Sequence, residues 1–319
     1  MAAPFVHVPV MLREVMEALA PFDEGLYVDG TFGRGGYTRA LLEAAETKVI
    51  GIDRDPDAIK AGEEMVKSFS PRLRLLQGIF GDMQNLLAQE NVPQVDGIVL
   101  DIGVSSPQID NAARGFSFQE DGPLDMRMSQ DGQSAADIVN TASESELADI
   151  IFHFGEERYA RRVARHIVEV RKTETFVRTK QLADLVRHNV PRSKDGVDPA
   201  TRTFQALRIA VNDELGELDR GLSAAEALLK PEGKLAIVAF HSLEDRRVKE
   251  FLRDRSGHAP RGSRHAPANE STSSPSFHLL SRKPLTPSEE EIAANPRARS
   301  ARLRLAQRTD APPLMENAA

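Results

Sequence analysis

Three acidic residues, each closing an apolar run and opening a turn, carry the pattern in this chain that can do chemistry. Asp29 precedes the glycine-rich stretch Gly30-Thr31-Phe32-Gly33-Arg34-Gly35-Gly36-Tyr37-Thr38, Asp53 ends the run Val49-Ile50-Gly51-Ile52, and Asp101 ends Ile98-Val99-Leu100. A strand running into a glycine-rich turn and a helix, with a second strand ending in an acid about twenty residues on, is how an open parallel sheet holds an adenosine cofactor. Glycines bring the backbone close to a ligand because no Cβ intervenes. An acid at the tip of the second strand, here Asp53, accepts ribose hydroxyls.

The spacing also bears on which cofactor is held. Counted from Gly33, the turn places Thr38 where a dinucleotide fingerprint requires its third glycine. A carboxylate at Asp29 suits a cationic amino-acid head group and repels a pyrophosphate. S-adenosylmethionine carries an ammonium and a sulfonium and no phosphate, so these residues favour a methyltransferase. A dehydrogenase of the same sheet class is the rival, and it predicts retention on a nicotinamide cofactor. The plainest alternative is a strand–turn–helix whose glycines serve only packing, and Asp53 argues against it.

Asp101 is followed by Ser105-Ser106-Pro107-Gln108. Enzymes that methylate exocyclic amines set polar acceptors and proline at this place. The amine lone pair is delocalised into the base ring and must be drawn out of plane before it attacks. Acceptors that grip the amine more tightly as it pyramidalises favour the transition state over the ground state, and in-line positioning supplies much of the rest. Asp101 and Ser106 are the catalytic candidates, and no metal is needed. The structural alternatives are a loop-capping role for Asp101 and plain turn chemistry for Ser105 and Ser106.

The elements that position these residues follow from hydrophobic period. Val28, Val49 to Ile52, Leu73 to Leu76 and Ile98 to Leu100 mark four strand cores, with helical stretches such as Pro56 to Ser68 between them and a short amphipathic helix, Leu12 to Leu19, before them. A fifth strand is expected at Leu235 to Phe240 and a last edge strand at Arg302 to Ala306. The long connection between strands four and five is helical in pattern, at Glu144 to Phe152, Glu156 to Val170, Thr179 to Val190 and Ala200 to Leu215. Ser143 and Glu146 form a capping box before the first. The fold class is α/β, a mostly parallel doubly wound sheet with an inserted all-helical domain. Residues 1–107 and 213–309 form the two parts of the cofactor-binding domain, 108–212 the helical substrate-recognition insertion, and 310–319 a flexible tail. Ser256 to Ser276, rich in Ser, Pro, Gly and Ala, reads as a flexible loop.

The 319 residues include no cysteine, which removes disulfides, thiolate metal sites and cysteine nucleophiles. No signal peptide is evident at Met1 to Val10, and no apolar run approaches the roughly 18 residues of a membrane span. A cytoplasmic, soluble protein is expected; the sequence assigns no oligomeric state. Net charge is −7, yet Arg158 to Arg208 holds 13 Lys+Arg against 5 Asp+Glu, a net of +8, and Asp245 to Arg308 holds 14 against 7, a net of +7. Two basic segments on an acidic body suit a phosphate-binding face, with solvated helical surfaces as the alternative. Arg161, Arg165 and Lys172 are expected to share one face of a helix.

The strings D-G-T-F-G-R-G-G, G-I-D-R-D-P, L-D-I-G-V-S-S-P-Q, R-G-F-S-F with D-G-P-L-D-M-R-M, G-E-E-R, T-R-T-F-Q-A-L-R-I-A-V-N-D-E-L, F-H-S-L-E-D-R and N-P-R-A-R-S run from about His7 to Arg308. Together they resemble the bacterial family of 16S ribosomal RNA cytosine-N4 methyltransferases of MraW type. The resemblance implies an α/β, class I methyltransferase-like fold with a helical insertion, and N4-methylation of a cytosine in the decoding region of 16S ribosomal RNA, with S-adenosylmethionine as donor and the RNA or the small ribosomal subunit as partner. It implies cofactor contacts at Gly35, Gly36, Tyr37, Asp53, Phe80, Asp101 and Gln108. Phe80 fits an apolar wall against adenine and Gln108 a hydrogen bond to the methionine portion. Relatives often have His where this chain has Tyr37, a neutral change if the contact is through backbone and a different contact if through the side chain. His241 and Ser242 are further candidates for the target pocket, against a structural role for the lone His. Arg114, Arg127, Arg202 and Arg208 are candidates for RNA contact. Phe116 and Phe118 are candidates for stacking a flipped base, against simply seating the inserted domain. A non-catalytic RNA-binding module with a vestigial cofactor fold is the other rival, and Asp53, Asp101 and S-S-P-Q argue against it.

Overall fold

A computed structural model describes residues 9–192, 196–257 and 274–314. Seven strands form one sheet: β1 (Leu26–Asp29), β2 (Lys48–Asp53), β3 (Leu73–Gln77), β4 (Val95–Asp101), β5 (Leu229–Ala239), β6 (Phe277–Leu279) and β7 (Arg302–Arg308), in the spatial order β3-β2-β1-β4-β5-β7-β6. β1 to β5 pair in parallel, and β7 runs antiparallel to both β5 and β6. Strand order reverses between β1 and β4, which pair at Val28 and Ile98. This is the switch point outside whose strand ends ligands bind in such sheets.

The strands read as near-continuous apolar runs because helices cover both faces. Successive residues alternate between two cores. Val28, Ile50, Ile52, Ile98 and Leu100 lie in one, and Tyr27, Val49 and Val99 in the other. The helices α1 (Leu12–Leu19), α2 (Gly36–Ala44), α3 (Pro56–Ser68) and α4 (Met83–Gln89) belong to this first compact unit, Met1–Gly103 with Leu215–Ala319. α3 starts where Asp55 accepts the N–H of Asp57 at 3.0 Å and Pro56 occupies the first turn.

The second unit, Val104–Glu214, is helical, with α5 (Ser106–Asp110), α6 (Ala135–Thr141), α7 (Glu144–Gly155), α8 (Ala160–Val170), α9 (Thr179–Asn189) and α10 (Ala200–Asn212). Its core gathers Leu147, Ile151, Val163, Ile167, Leu182, Val186, Phe204 and Leu207 from the helical repeats read in the sequence. The capping box at Ser143 and Glu146 is present, each backbone N–H donating to the other residue's side chain. Beyond this unit α11 (Glu214–Leu228), α12 (Ser242–Arg255) and α13 (Glu289–Ala294) complete the chain.

Several boundaries differ from expectation for local reasons. α8 begins at Ala160, because Glu156 adopts φ 50 and ends α7 after Gly155. α10 stops at Asn212, because Asp213 adopts φ 48. β7 is no edge strand: β6 lies outside it, a strand of 3 residues too short to show a period beside the Ser- and Pro-rich stretch. Of the expected loop Ser256 to Ser276, residues 258–273 lie outside the described residues, as do 315–319 of the expected tail. Among the described residues no helix is long and apolar enough to cross a membrane.

Candidate active site

The turn between β1 and α2 is built around two carboxylates. Asp29 is fully buried: its Oδ2 accepts the Thr38 hydroxyl at 2.7 Å and its Oδ1 the Thr31 N–H at 3.3 Å. Burial pushes its carboxyl up to about 6, against the hydrogen bond from Thr38. Asp29 therefore braces the turn from inside. Thr31 Oγ1 in turn accepts the Asp101 N–H at 2.6 Å, tying the ends of β1 and β4 together.

Gly33 and Gly35 sit at φ +52 and +70, where a side chain would be strained. A Cβ on Gly33 would meet nothing nearer than the Thr31 carbonyl at 3.7 Å, so its backbone faces open space. A Cβ on Gly35 would strike the Phe32 ring at 2.8 Å. Pro9 lies directly over Gly36. Tyr37 is 3% exposed and its hydroxyl donates to the Val10 carbonyl, so its side chain faces the Pro9–Met11 segment and only its backbone is left for a ligand.

Asp53 closes β2. Its Oδ2 accepts the Gly33 N–H at 2.7 Å and its Oδ1 the Asp55 N–H at 2.8 Å. Burial raises its carboxyl and these two amides oppose the rise. Phe80 opens a 3₁₀ turn after β3, half-buried, its Cβ 3.2 Å from where a Cβ on Gly30 would stand. Asp101 closes β4. The residue is partly exposed, yet its Oδ1 is buried without a hydrogen-bond partner. Burial pushes its carboxyl up to about 8, with Asp29 and Glu244 adding like charge. The structure thus brings Gly35, Gly36, Tyr37, Asp53, Phe80 and Asp101 to the carboxyl ends of β1 to β4.

His241 caps α12. Its Nδ1 accepts the Glu244 N–H at 3.4 Å, its Nε2 lies 2.9 Å from Glu244 Oε1, and Glu244 Oε2 accepts the N–H of Phe240 at 2.8 Å. Both ring nitrogens face this cap, which is the structural alternative for the lone histidine. Ser242 is the first residue of α12.

Ser106 and Gln108 belong to the helical unit. Ser106 opens α5, and buried Gln108 accepts the Ser105 N–H at 3.0 Å through its Oε1, a helix-start contact. The arginine candidates are engaged within the same unit. Arg114 donates to the carbonyls of Arg127 and Met128 at 3.0 Å, Arg127 pairs with Asp125 at 2.7 Å, Arg202 donates to the Glu156 carbonyl at 3.2 Å, and Arg208 pairs with Glu214 at 2.8 Å. Phe116 and Phe118 pack against the unit's core, Phe118 edge-on to Phe204 at 4.8 Å. On α8, Arg161, Arg162 and Arg165 are exposed. Lys172 lies beyond the end of α8 and pairs with Glu169 at 2.7 Å, so it does not extend that helical face.

These residues fit a cationic adenosine cofactor. Each Asp53 oxygen keeps one lone pair for a ribose hydroxyl, the Gly33 backbone is open, and Asp101 offers a buried acceptor with no partner. Sequence reasoning missed Thr31, Thr38 and Glu217. The threonines lie within the recognised turn, whereas Glu217 meets Arg54 and Phe80 across a separation that leaves no local signal.

A family model described as the MraW methylase family matches residues 4–309. The chain is 61% identical over 311 residues to the ribosomal RNA small subunit methyltransferase H of Paramagnetospirillum magneticum, covering 97% of this chain and 98% of that one. It is 61% identical over 310 residues to the protein of the same description from Rhodospirillum centenum, covering 97% and 94%. The counterpart in Methylorubrum extorquens is 60% identical over 308 residues, covering 96% and 87%.

Proposed function

Because the chain belongs to the MraW methylase family, we propose that this methyltransferase uses S-adenosylmethionine to methylate the exocyclic N4 amine of a cytosine in the decoding region of 16S ribosomal RNA. The descriptions of its relatives support small-subunit ribosomal RNA as the substrate class, and such a substrate puts the work in the cytoplasm. The observation that carries the chemistry is the buried Asp101 Oδ1 without a partner, at the end of β4 beside the glycine turn.

The roles of Asp53, Tyr37 and Asp101 follow from what each side chain has left to offer. The free lone pairs of Asp53 accept the ribose hydroxyls, and Phe80 supplies an apolar wall for the adenine. Gly35, Gly36 and Tyr37 contribute backbone, since the Tyr37 hydroxyl already donates to Val10. The family resemblance assigns Gln108 to the methionine portion. When bound, S-adenosylmethionine supplies an electrophilic methyl on sulfur. Asp101 accepts a hydrogen of the target amine and holds its nitrogen in line as it pyramidalises, and the S-S-P-Q string makes Ser106 the candidate for a second acceptor. In its ionised form Asp101, whose proton affinity is raised by burial, takes the proton the nitrogen releases as the new N–C bond forms and the S–C bond breaks.

The test is transfer of labelled methyl to small-subunit RNA, naked or assembled, from cells lacking the enzyme, followed by nucleoside analysis. Label in N4-methylcytidine is the expected outcome. Label confined to another nucleoside would replace the target assignment, and tight nicotinamide binding without S-adenosylhomocysteine binding would restore the dehydrogenase reading.

A further inference from the structure

One buried carboxylate links the strand end that carries Asp53 to the turn that carries Phe80. Glu217 lies on α11 with its side chain 4% exposed. Its Oε2 accepts Arg54 Nη1 at 2.7 Å, and its Oε1 accepts the backbone N–H of Phe80 at 3.0 Å. Arg54 directly follows Asp53 at the end of β2, and Phe80 follows β3. The residue that follows the proposed ribose ligand and the residue proposed for the adenine are thus held by the two oxygens of one side chain.

The packing around Glu217 makes this a close fit. A Cβ on Gly81 would stand 3.0 Å from the Glu217 carbonyl oxygen and 3.1 Å from its Cγ. One turn further along α11, a Cβ on Gly221 would strike the Phe80 ring at 2.6 Å. Glycine on both surfaces lets α11 lie directly against the turn that presents Phe80. A buried ion pair is weak evidence for stability, because apolar residues of similar volume often serve as well. Its particular contribution here is direction: it sets the Phe80 backbone and the Arg54 side chain relative to a single point.

We infer that Glu217 is a positioning residue for the adenosine half of the cofactor, fixing the spacing between Asp53 and the Phe80 wall. This rests on the S-adenosylmethionine reading above. Glu217→Gln keeps a carbonyl for the Phe80 N–H and loses the acceptor for Arg54; Glu217→Ala loses both. Calorimetry with S-adenosylhomocysteine and with adenosine, beside methyl-transfer kinetics, separates the possibilities. In Glu217→Ala the affinity for both ligands should fall by the same factor, about tenfold, with a smaller fall in Glu217→Gln. The donor KM should rise while kcat at saturating donor stays near that of the wild type. Wild-type affinity for both ligands in folded Glu217→Gln and Glu217→Ala, with only a lower melting temperature, would overturn the inference. So would a loss confined to S-adenosylhomocysteine, since adenosine carries the half in question. Wild-type protein that binds neither ligand would instead overturn the cofactor reading itself.

Discussion

Asp53 Oδ1 and Oδ2 each accept one backbone N–H, which leaves one lone pair on each oxygen and fixes where it points. Asp53→Ala should weaken S-adenosylmethionine binding by about 1.5–3 kcal/mol, the scale of hydrogen bonds to a charged group. Unchanged affinity by calorimetry in a folded variant would remove Asp53 from the site. Asp101 differs, because one of its oxygens is buried with nothing to accept from. Asp101→Asn should fold and lose most turnover at saturating donor; near-normal kcat would count against any catalytic role. The same carboxyl predicts a pH dependence of stability. Its folded value, pushed up to about 8 mainly by burial, lies above the ordinary 3.8 of an unfolded Asp. Between those values the folded chain holds the proton and the unfolded chain releases it, so stability falls as pH rises through this window and levels off above about 8. The urea midpoint of Asp101→Asn should therefore gain on that of the wild type between about pH 6 and about pH 8, roughly the upper half of the window. Parallel curves would place the proton elsewhere.

At the scale of elements, the glycine turn is held by a ring. Phe32 is buried with a glycine on three sides: a Cβ on Gly35 or Gly51 would meet its ring at 2.8 Å, and one on Gly62 of α3 at 2.7 Å. α3 can lie against the sheet only because Gly62 has no side chain. Gly62→Ala gains up to about 1 kcal/mol of helix propensity, but overpacking a filled core costs about 1–3 kcal/mol. The added methyl meets the Leu75 side chain as well as the Phe32 ring, so the overpacking wins. A net loss of about 1 kcal/mol is expected, read as a lower urea midpoint with unchanged slope. A stabilised variant would mean that Phe32 is free to shift.

At the scale of the whole molecule, the two basic segments differ in what the structure does with them. Between Asp245 and Arg308, Arg247 pairs with Asp219, Arg255 with Glu226 and Arg304 with Asp245, and buried Arg308 donates to the Glu226 carbonyl at 2.8 Å. Those charges answer an acidic body. On α8 of the helical unit, by contrast, Arg161 and Arg165 are exposed one turn apart. Arg161→Glu with Arg165→Glu should raise the RNA dissociation constant and leave S-adenosylhomocysteine affinity unchanged. The salt slope should shrink by roughly one for each RNA phosphate that is no longer neutralised. Unchanged RNA affinity and slope would mean that this face is only solvated.

What the sequence determined by itself is whatever depends on neighbours along the chain. The apolar period set β1 to β5 and the helices of the insertion. The glycine turn could be read because its residues are neighbours along the chain, and Asp53 and Asp101 because each ends an apolar run that forms a strand of a parallel sheet. Tertiary structure decided which of those groups are still free. Asp29 reads as a ligand group and is enclosed by Thr31 and Thr38. Arg208 reads as an RNA contact and is paired with Glu214. Tyr37 reads either way until its hydroxyl meets Val10. Glu217 carries no signal at all, because its partners Arg54 and Phe80 belong to the far end of the chain's path through the sheet. A polar side chain is a reagent only if folding leaves it a lone pair or a proton to offer, and that is decided by every element packed around it.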